Sequence, residues 1–132
     1  MKKIILDLDA TLTIDTECDY EDKPVNKKVL DACVYYKKMG FYIVINTSRN
    51  MKTFSGNIGK INFETLPKII TWLEKNNVPF DEIYVGKPWC GKDGFYVDDR
   101  SIRPSEFASL SYSEILDLLD SEKKINIEEV YK

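Results

Sequence analysis

Two aspartates, Asp7 and Asp9, stand one residue apart at the end of the apolar run Ile4, Ile5, Leu6, with Thr11 just beyond (KIILDLDATLT). A carboxylate at the end of a core strand is costly to desolvate unless something pairs with it, so the placement asks for a chemical reason. Three later stretches repeat the form. FYIVINTSR runs into Thr47, Ser48 and Arg49, EIYVGKP into Gly86, Lys87 and Pro88, and FYVDDR into Asp98, Asp99 and Arg100. Four carboxylates at one edge would repel each other unless a cation sat among them. The chain has no histidine and no Cys-x-x-Cys pair, so the ligands would be oxygens, which suits a hard ion such as Mg²⁺. A metal and Lys87 would neutralise phosphate oxygens while Thr47 donates a hydrogen bond to one of them. One aspartate could then attack phosphorus and form an aspartyl phosphate, and the other could protonate the leaving oxygen and activate water.

The elements that must hold these residues alternate. Residues 3–8, 41–46, 82–85 and 95–97 read as short strands rich in β-branched and aromatic side chains. Helical patterns lie between and after them. Over 26–39, Val29, Leu30, Cys33, Val34 and Lys37 share a face and Gly40 follows as a stop; over 64–76, Leu66, Ile69, Ile70 and Leu73 form a stripe. A third helix opens with the capping box Ser111-x-x-Glu114 and carries Ile115, Leu116, Leu118 and Leu119. Alternation of this kind predicts an α/β fold with a mainly parallel sheet, in which ligands bind beyond the carboxyl ends of the strands. The expected organisation is a single domain over 1–132, with a core of 1–120 and a charged tail of 121–132. Two loops, 10–24 and 48–62, are longer than a compact domain needs, as functional or mobile loops are. The acids of DTECDYED (Asp15 to Asp22) resemble calcium-loop spacing, but Tyr20 stands where glycine is required and Asn26 where glutamate is; a mobile acidic flap is expected.

At 132 residues, with 43% apolar and 31% charged side chains, the chain is an ordinary globular mixture. A net charge of −3 gives no basic field, so no nucleic-acid partner is expected. No apolar run reaches membrane-spanning or signal-peptide length. Cys18, Cys33 and Cys90 are odd in number and widely spaced, as for reduced thiols in a cytoplasmic protein.

Taken together, DLDATLT, Thr47 after an apolar strand, Lys87, and Asp98-Asp99 after another apolar strand resemble the four ordered motifs of the haloacid dehalogenase-like (HAD) phosphatases. The resemblance covers residues 3 to about 119 and implies a Rossmann-like, three-layer domain. It implies Asp7 as nucleophile and Asp9 as general acid/base. It also implies Asp7, the Asp9 carbonyl and Asp98 as Mg²⁺ ligands, with Asp99 helping to hold a metal water or Lys87. One departure is Ala10, where the family usually has glycine, so the turn after Asp9 must accept a Cβ.

Asp9 and Thr47 are 38 positions apart and Thr47 and Lys87 are 40 apart, gaps that one helix and its loops nearly fill. No cap domain fits. An open site is expected, covered by the two long loops or by a neighbouring subunit in a homo-oligomer. SRNMKTFSGNIGKIN, LPKIITWLEKNNVPFDEIYVGKPWCGKDGFYVDDRSIRPSEF and LSYSEIL resemble a capless subgroup found among capsular and surface polysaccharide biosynthesis proteins, which implies a small phosphorylated metabolite, a sugar or polyol phosphate, as substrate. Ser48, Arg49 and Lys92 are candidates to grip the rest of it. A receiver domain would need its acceptor aspartate on a middle strand, and none occurs between Asp31 and Asp81. The remaining alternative is a phosphate-binding scaffold subunit, for which an intact Asp7–Asp9 pair is superfluous.

Overall fold

The computed structural model describes residues 1–130. They form two compact units, Met1–Trp89 and Cys90–Lys132.

In the first unit three strands make an α/β sheet: β1 (Lys3–Leu6), β2 (Tyr42–Asn46) and β3 (Glu82–Tyr84), in the order β1-β2-β3. Every pairing is parallel, Ile5 opposite Val44 and Ile45 opposite Ile83, so all three carboxyl ends leave the same edge. The architecture is a small open parallel sheet with helices, compatible with a Rossmann-like fold. β2 is the middle strand, and Ile43, Val44 and Ile45 are buried. Each such side chain stabilises the fold by roughly 1.5–3 kcal/mol through lost apolar hydration. β1 is an edge strand and leaves Ile5 66% exposed.

Helix α1 (Lys27–Lys38) begins where Asn26 accepts a hydrogen bond from the Val29 amide. It buries Val29, Leu30, Cys33 and Tyr36. The face is rotated from the expected one: Tyr36 is buried where Val34 and Lys37 were expected. Lys37 instead reaches Asp81 at 2.7 Å, and Tyr36 packs edge-on against Phe41. Burial drives the Cys33 thiol up to about 12, which makes it inert.

The second helical stretch starts earlier than the spacing predicts. It opens as α2 (Ile58–Lys60), widens into a π turn (Ile61–Thr65) and continues as α3 (Leu66–Lys75). Pro67 has no N–H to return to the preceding turn, which explains why the helix changes pitch just before it. Its buried stripe is Ile69, Trp72 and Leu73; Leu66 and Ile70 are only half-buried.

The second unit holds α4 (Pro104–Ser109), which the sequence reading did not anticipate, and α5 (Tyr112–Val130). Glu106 accepts from the Arg103 amide at the start of α4. The capping box of α5 is formed: the Ser111 hydroxyl accepts from Glu114 N–H and the Glu114 carboxylate from Ser111 N–H. The helix runs through most of the expected tail, of which residues 131–132 lie outside the described part; Leu116 and Leu118 stay exposed. The strand expected at 95–97 is not formed. A Cβ on Gly94 would lie 2.1 Å from the Cys90 carbonyl oxygen, so the run is entered from a tight backbone turn, and Phe95 and Val97 are 79% and 86% exposed. Among the described residues the run joins no ladder, and without one an apolar, strand-forming stretch is not a strand.

No helix among the described residues is long and apolar enough to cross a membrane.

Candidate active site at the carboxyl edge of the sheet

The turn after β1 is built by the Leu8 carbonyl, which accepts from the amides of Thr11, Leu12 and Thr13. This coil buries Leu8, Leu12 and Thr13 and turns Asp7 and Asp9 away from the core. Ala10 pivots it at φ 60°, the left-handed region where glycine is at ease and alanine costs about 1 kcal/mol. The Cβ expected to trouble this turn is thus accommodated at a strain, and the Ala10 amide is secured by the Thr13 hydroxyl.

β2 delivers Thr47 and β3 delivers Lys87. The ladder continues past β3, with Thr47 N–H donating to the Tyr84 carbonyl and Lys87 N–H donating to the Thr47 carbonyl. Lys87 is therefore fixed beside Thr47 by backbone bonds, and its Nζ lies 3.5 Å from Asp7 Oδ1. The Thr11 hydroxyl donates to the other oxygen, Oδ2, at 3.0 Å. Asp9 is held by a two-pronged fork, Arg49 Nε to Oδ2 at 3.1 Å and the terminal nitrogen to Oδ1 at 2.7 Å. Each carboxylate thus has its own cation, and the desolvation that the sequence made conspicuous is offset within the protein. The Arg49 side chain is 3% exposed, with the Tyr20 ring 4.2 Å from its guanidinium carbon.

The structure brings together Asp7, Asp9, Thr11, Thr47, Arg49 and Lys87, with Ser48 half-buried among them. Arg49, expected to reach for substrate, is turned onto Asp9 instead. The Thr47 hydroxyl accepts from the Arg49 amide, and the residue is almost wholly buried. Lys92, Asp98 and Asp99 belong to the second unit and are exposed there; the Asp98 carboxylate accepts from the Arg100 amide at 2.8 Å.

The 10–24 loop is pinned rather than free. Thr13 bridges Val25, Ile14 N–H donates to the Pro24 carbonyl, and the Trp72 indole donates to the Lys23 carbonyl. Lys68 pairs with Glu21 at 3.5 Å. Sequence reasoning missed Tyr20, since nothing in an acidic stretch signals that its one aromatic ring will cover an arginine 29 positions later.

Among the described residues no group of three or more histidine, cysteine or acidic side chains is placed to hold a metal ion. Of the metal ligands that the resemblance implies, Asp7 and Asp9 lie in the first unit and Asp98 in the second; all three would offer oxygens, the donors that a hard ion such as Mg²⁺ takes.

No protein-family model and no curated protein matches the chain. It is similar to a structural-genomics target from Vibrio cholerae whose crystal structure is known. The two are 55% identical over 92% of this chain and 99% of that one, with a TM-score of 0.91. The chain belongs to the same protein family as that Vibrio cholerae protein.

Proposed function

We propose that the protein is a Mg²⁺-dependent phosphomonoesterase of HAD-like, Rossmann-type architecture without a cap, working through an aspartyl phosphate on a small sugar or polyol phosphate. The observation that carries this reading is Asp7 at the carboxyl end of β1 with one oxygen held by Thr11 and the other facing Lys87. A carboxylate fixed at one oxygen presents the other as a nucleophile in one direction. Its attack on phosphorus would break the ester P–O bond, and the leaving oxygen would take the proton of an Asp9 that had been protonated from solvent before the attack. Asp9 would then accept a proton from water as that water attacks the aspartyl phosphate, releasing phosphate and restoring Asp7. Arg49 uses one lone pair on each Asp9 oxygen, and a second remains on each for this proton traffic. Lys87 would balance charge on the phosphoryl oxygens. Bound Mg²⁺, held by the Asp7 carboxylate and the Asp9 carbonyl, would supply the remaining positive charge. The three cysteines are unpaired, in keeping with a reducing, cytoplasmic compartment.

The test is phosphate release from sugar, polyol and nucleotide monophosphates, with Mg²⁺ and with EDTA, beside Asp7→Asn. The expected outcome is metal-dependent release from a few related esters, reduced at least about a thousandfold in a folded Asp7→Asn protein. Release from none of them, or undiminished release by the variant, would overturn the reading in favour of a phosphate-binding scaffold.

A further inference from the structure

Strand β1 is an open edge of the sheet: among the described residues it pairs with β2 alone. Natural edge strands are blunted by charge, proline or a bulge, because bare N–H and C=O groups recruit another strand. β1 has only Lys3, at its start, and presents Ile5, 66% exposed, further along. Phe95, Tyr96 and Val97 are strand-forming residues in the second unit that join no ladder among the described ones. They lie exposed, as do Leu116 and Leu118 of α5 in the same unit. An open edge and an unladdered strand in one chain are the two halves of a strand exchange between copies.

Direction and register follow from the residues. The existing pairings are parallel, and only a parallel run carries Asp98 to the carboxyl edge, where Asp7 and Asp9 stand. With Asp98 opposite Asp7, Phe95 falls beside Ile4, Tyr96 beside Ile5 and Val97 beside Leu6. Alternation then sets Tyr96 on the face of Ile5, and Phe95 and Val97 on the face of Ile4 and Leu6. Chain length decides whose run it is. Lys87 N–H is bonded to the Thr47 carbonyl at the carboxyl edge, whereas a parallel strand beyond β1 must start at the amino edge. Only seven residues, 88–94, lie between Lys87 and Phe95, and a parallel crossover takes about a dozen or more. The tight turn from Cys90 to Gly94 shortens their reach further. A second copy of the chain carries no such tether.

We propose that two copies of the chain exchange their runs, residues 95–97 of each adding in parallel to the outer edge of β1 of the other. The exchange is reciprocal, so it closes as a two-fold dimer and leaves no open edge on β1. Each new strand ends with Asp98 of the partner subunit beside Asp7, and the site of each copy is incomplete without the other. The strand exchange stands apart from the phosphomonoesterase reading. The role of Asp98 of the partner subunit, an oxygen donor toward Mg²⁺, rests on that reading.

The experiment is light scattering of the wild-type protein, with disulfide trapping of Ile5→Cys/Tyr96→Cys in a Cys18→Ser, Cys90→Ser background. Paired positions on neighbouring strands lie about 5 Å apart, within disulfide reach. The wild type is expected to have the mass of a dimer, and the double-cysteine protein to give a covalent dimer on a non-reducing gel. Ile5→Cys/Lys28→Cys, its second cysteine on the exposed side of α1, is expected to give none. Val97→Asp, folded by circular dichroism, is expected to have the mass of a monomer. Asp7→Asn and Asp98→Asn, each inactive alone, are expected to recover about a quarter of wild-type turnover when co-expressed, since half the dimers are mixed and each of those has one intact site. A wild-type monomer, a disulfide within one chain, no trapped dimer in a folded protein, or a Val97→Asp dimer would overturn the exchange. A co-expressed pair as inactive as its parts, beside an active wild type, would overturn the shared site. A trapped dimer that turns over no phosphate ester keeps the exchange and removes the phosphatase.

Discussion

Ile4–Leu6 before Asp7 and Phe95–Val97 before Asp98 are written in the same residue types, apolar and strand-forming, and each ends on an aspartate. The first is a strand paired along its length with β2; the second makes no ladder among the described residues. The fates of the two carboxylates follow. Asp7 is held by a lysine 80 positions away in the chain, whereas Asp98 accepts from an amide two positions on. Strand propensity is a statement about side chains that fit a pleated surface, and it becomes a strand only where a neighbour supplies hydrogen bonds. β1 has β2 to receive it, and a parallel neighbour is what carries a terminal carboxylate to the lysine at the end of another strand.

The comparison can be broken by substitution in the two runs. Leu6→Ala is expected to destabilise the protein by about 3 kcal/mol, because it empties a buried position. Val97→Ala is expected to stay within about 0.5 kcal/mol in the separate chain, as for other exposed side chains. Urea unfolding, at dilutions that keep the copies apart, measures both. A Val97→Ala cost near that of Leu6→Ala would mean that the second run is also packed within the separate chain.

A smaller effect is expected at the cation that serves Asp9. Arg49→Lys keeps the charge and loses the planar fork, so Asp9 would no longer be held at both oxygens. Turnover of alkyl phosphates should fall about tenfold to a hundredfold, as for a misplaced catalytic group, and that of activated aryl phosphates less, since these need little protonation of the leaving oxygen. Equal losses on both ester types would show that Arg49 does not act through Asp9.

The smallest effect concerns the start of β3. The Ile43 amide, and then Lys37, hold the Asp81 carboxyl below its ordinary range. The ionised form is thus favoured by folding, so its contribution is present above the ordinary value of 3.8 and is lost as pH falls through the lowered one. Asp81→Asn should cost about 1 kcal/mol at neutral pH, and wild type and variant should converge in acid. An undiminished difference at pH 3 would assign the effect to shape rather than charge.

Strand β2, helix α1, the capping box of α5 and the convergence of Asp7, Asp9, Thr47 and Lys87 on one edge were legible in the sequence. All of them depend on period, cap chemistry and strand direction, which neighbouring residues set. Tertiary structure alone decided the rest. It turned Arg49 inward onto Asp9 and laid Tyr20 over it, rotated the buried face of α1 to Tyr36, widened the helix before Pro67, and left 95–97 outside any strand. Each of these turns on which partner lies across space, and the energy of a hydrogen bond, an ion pair or a ladder belongs to the pair and cannot be read from one member's place in the chain.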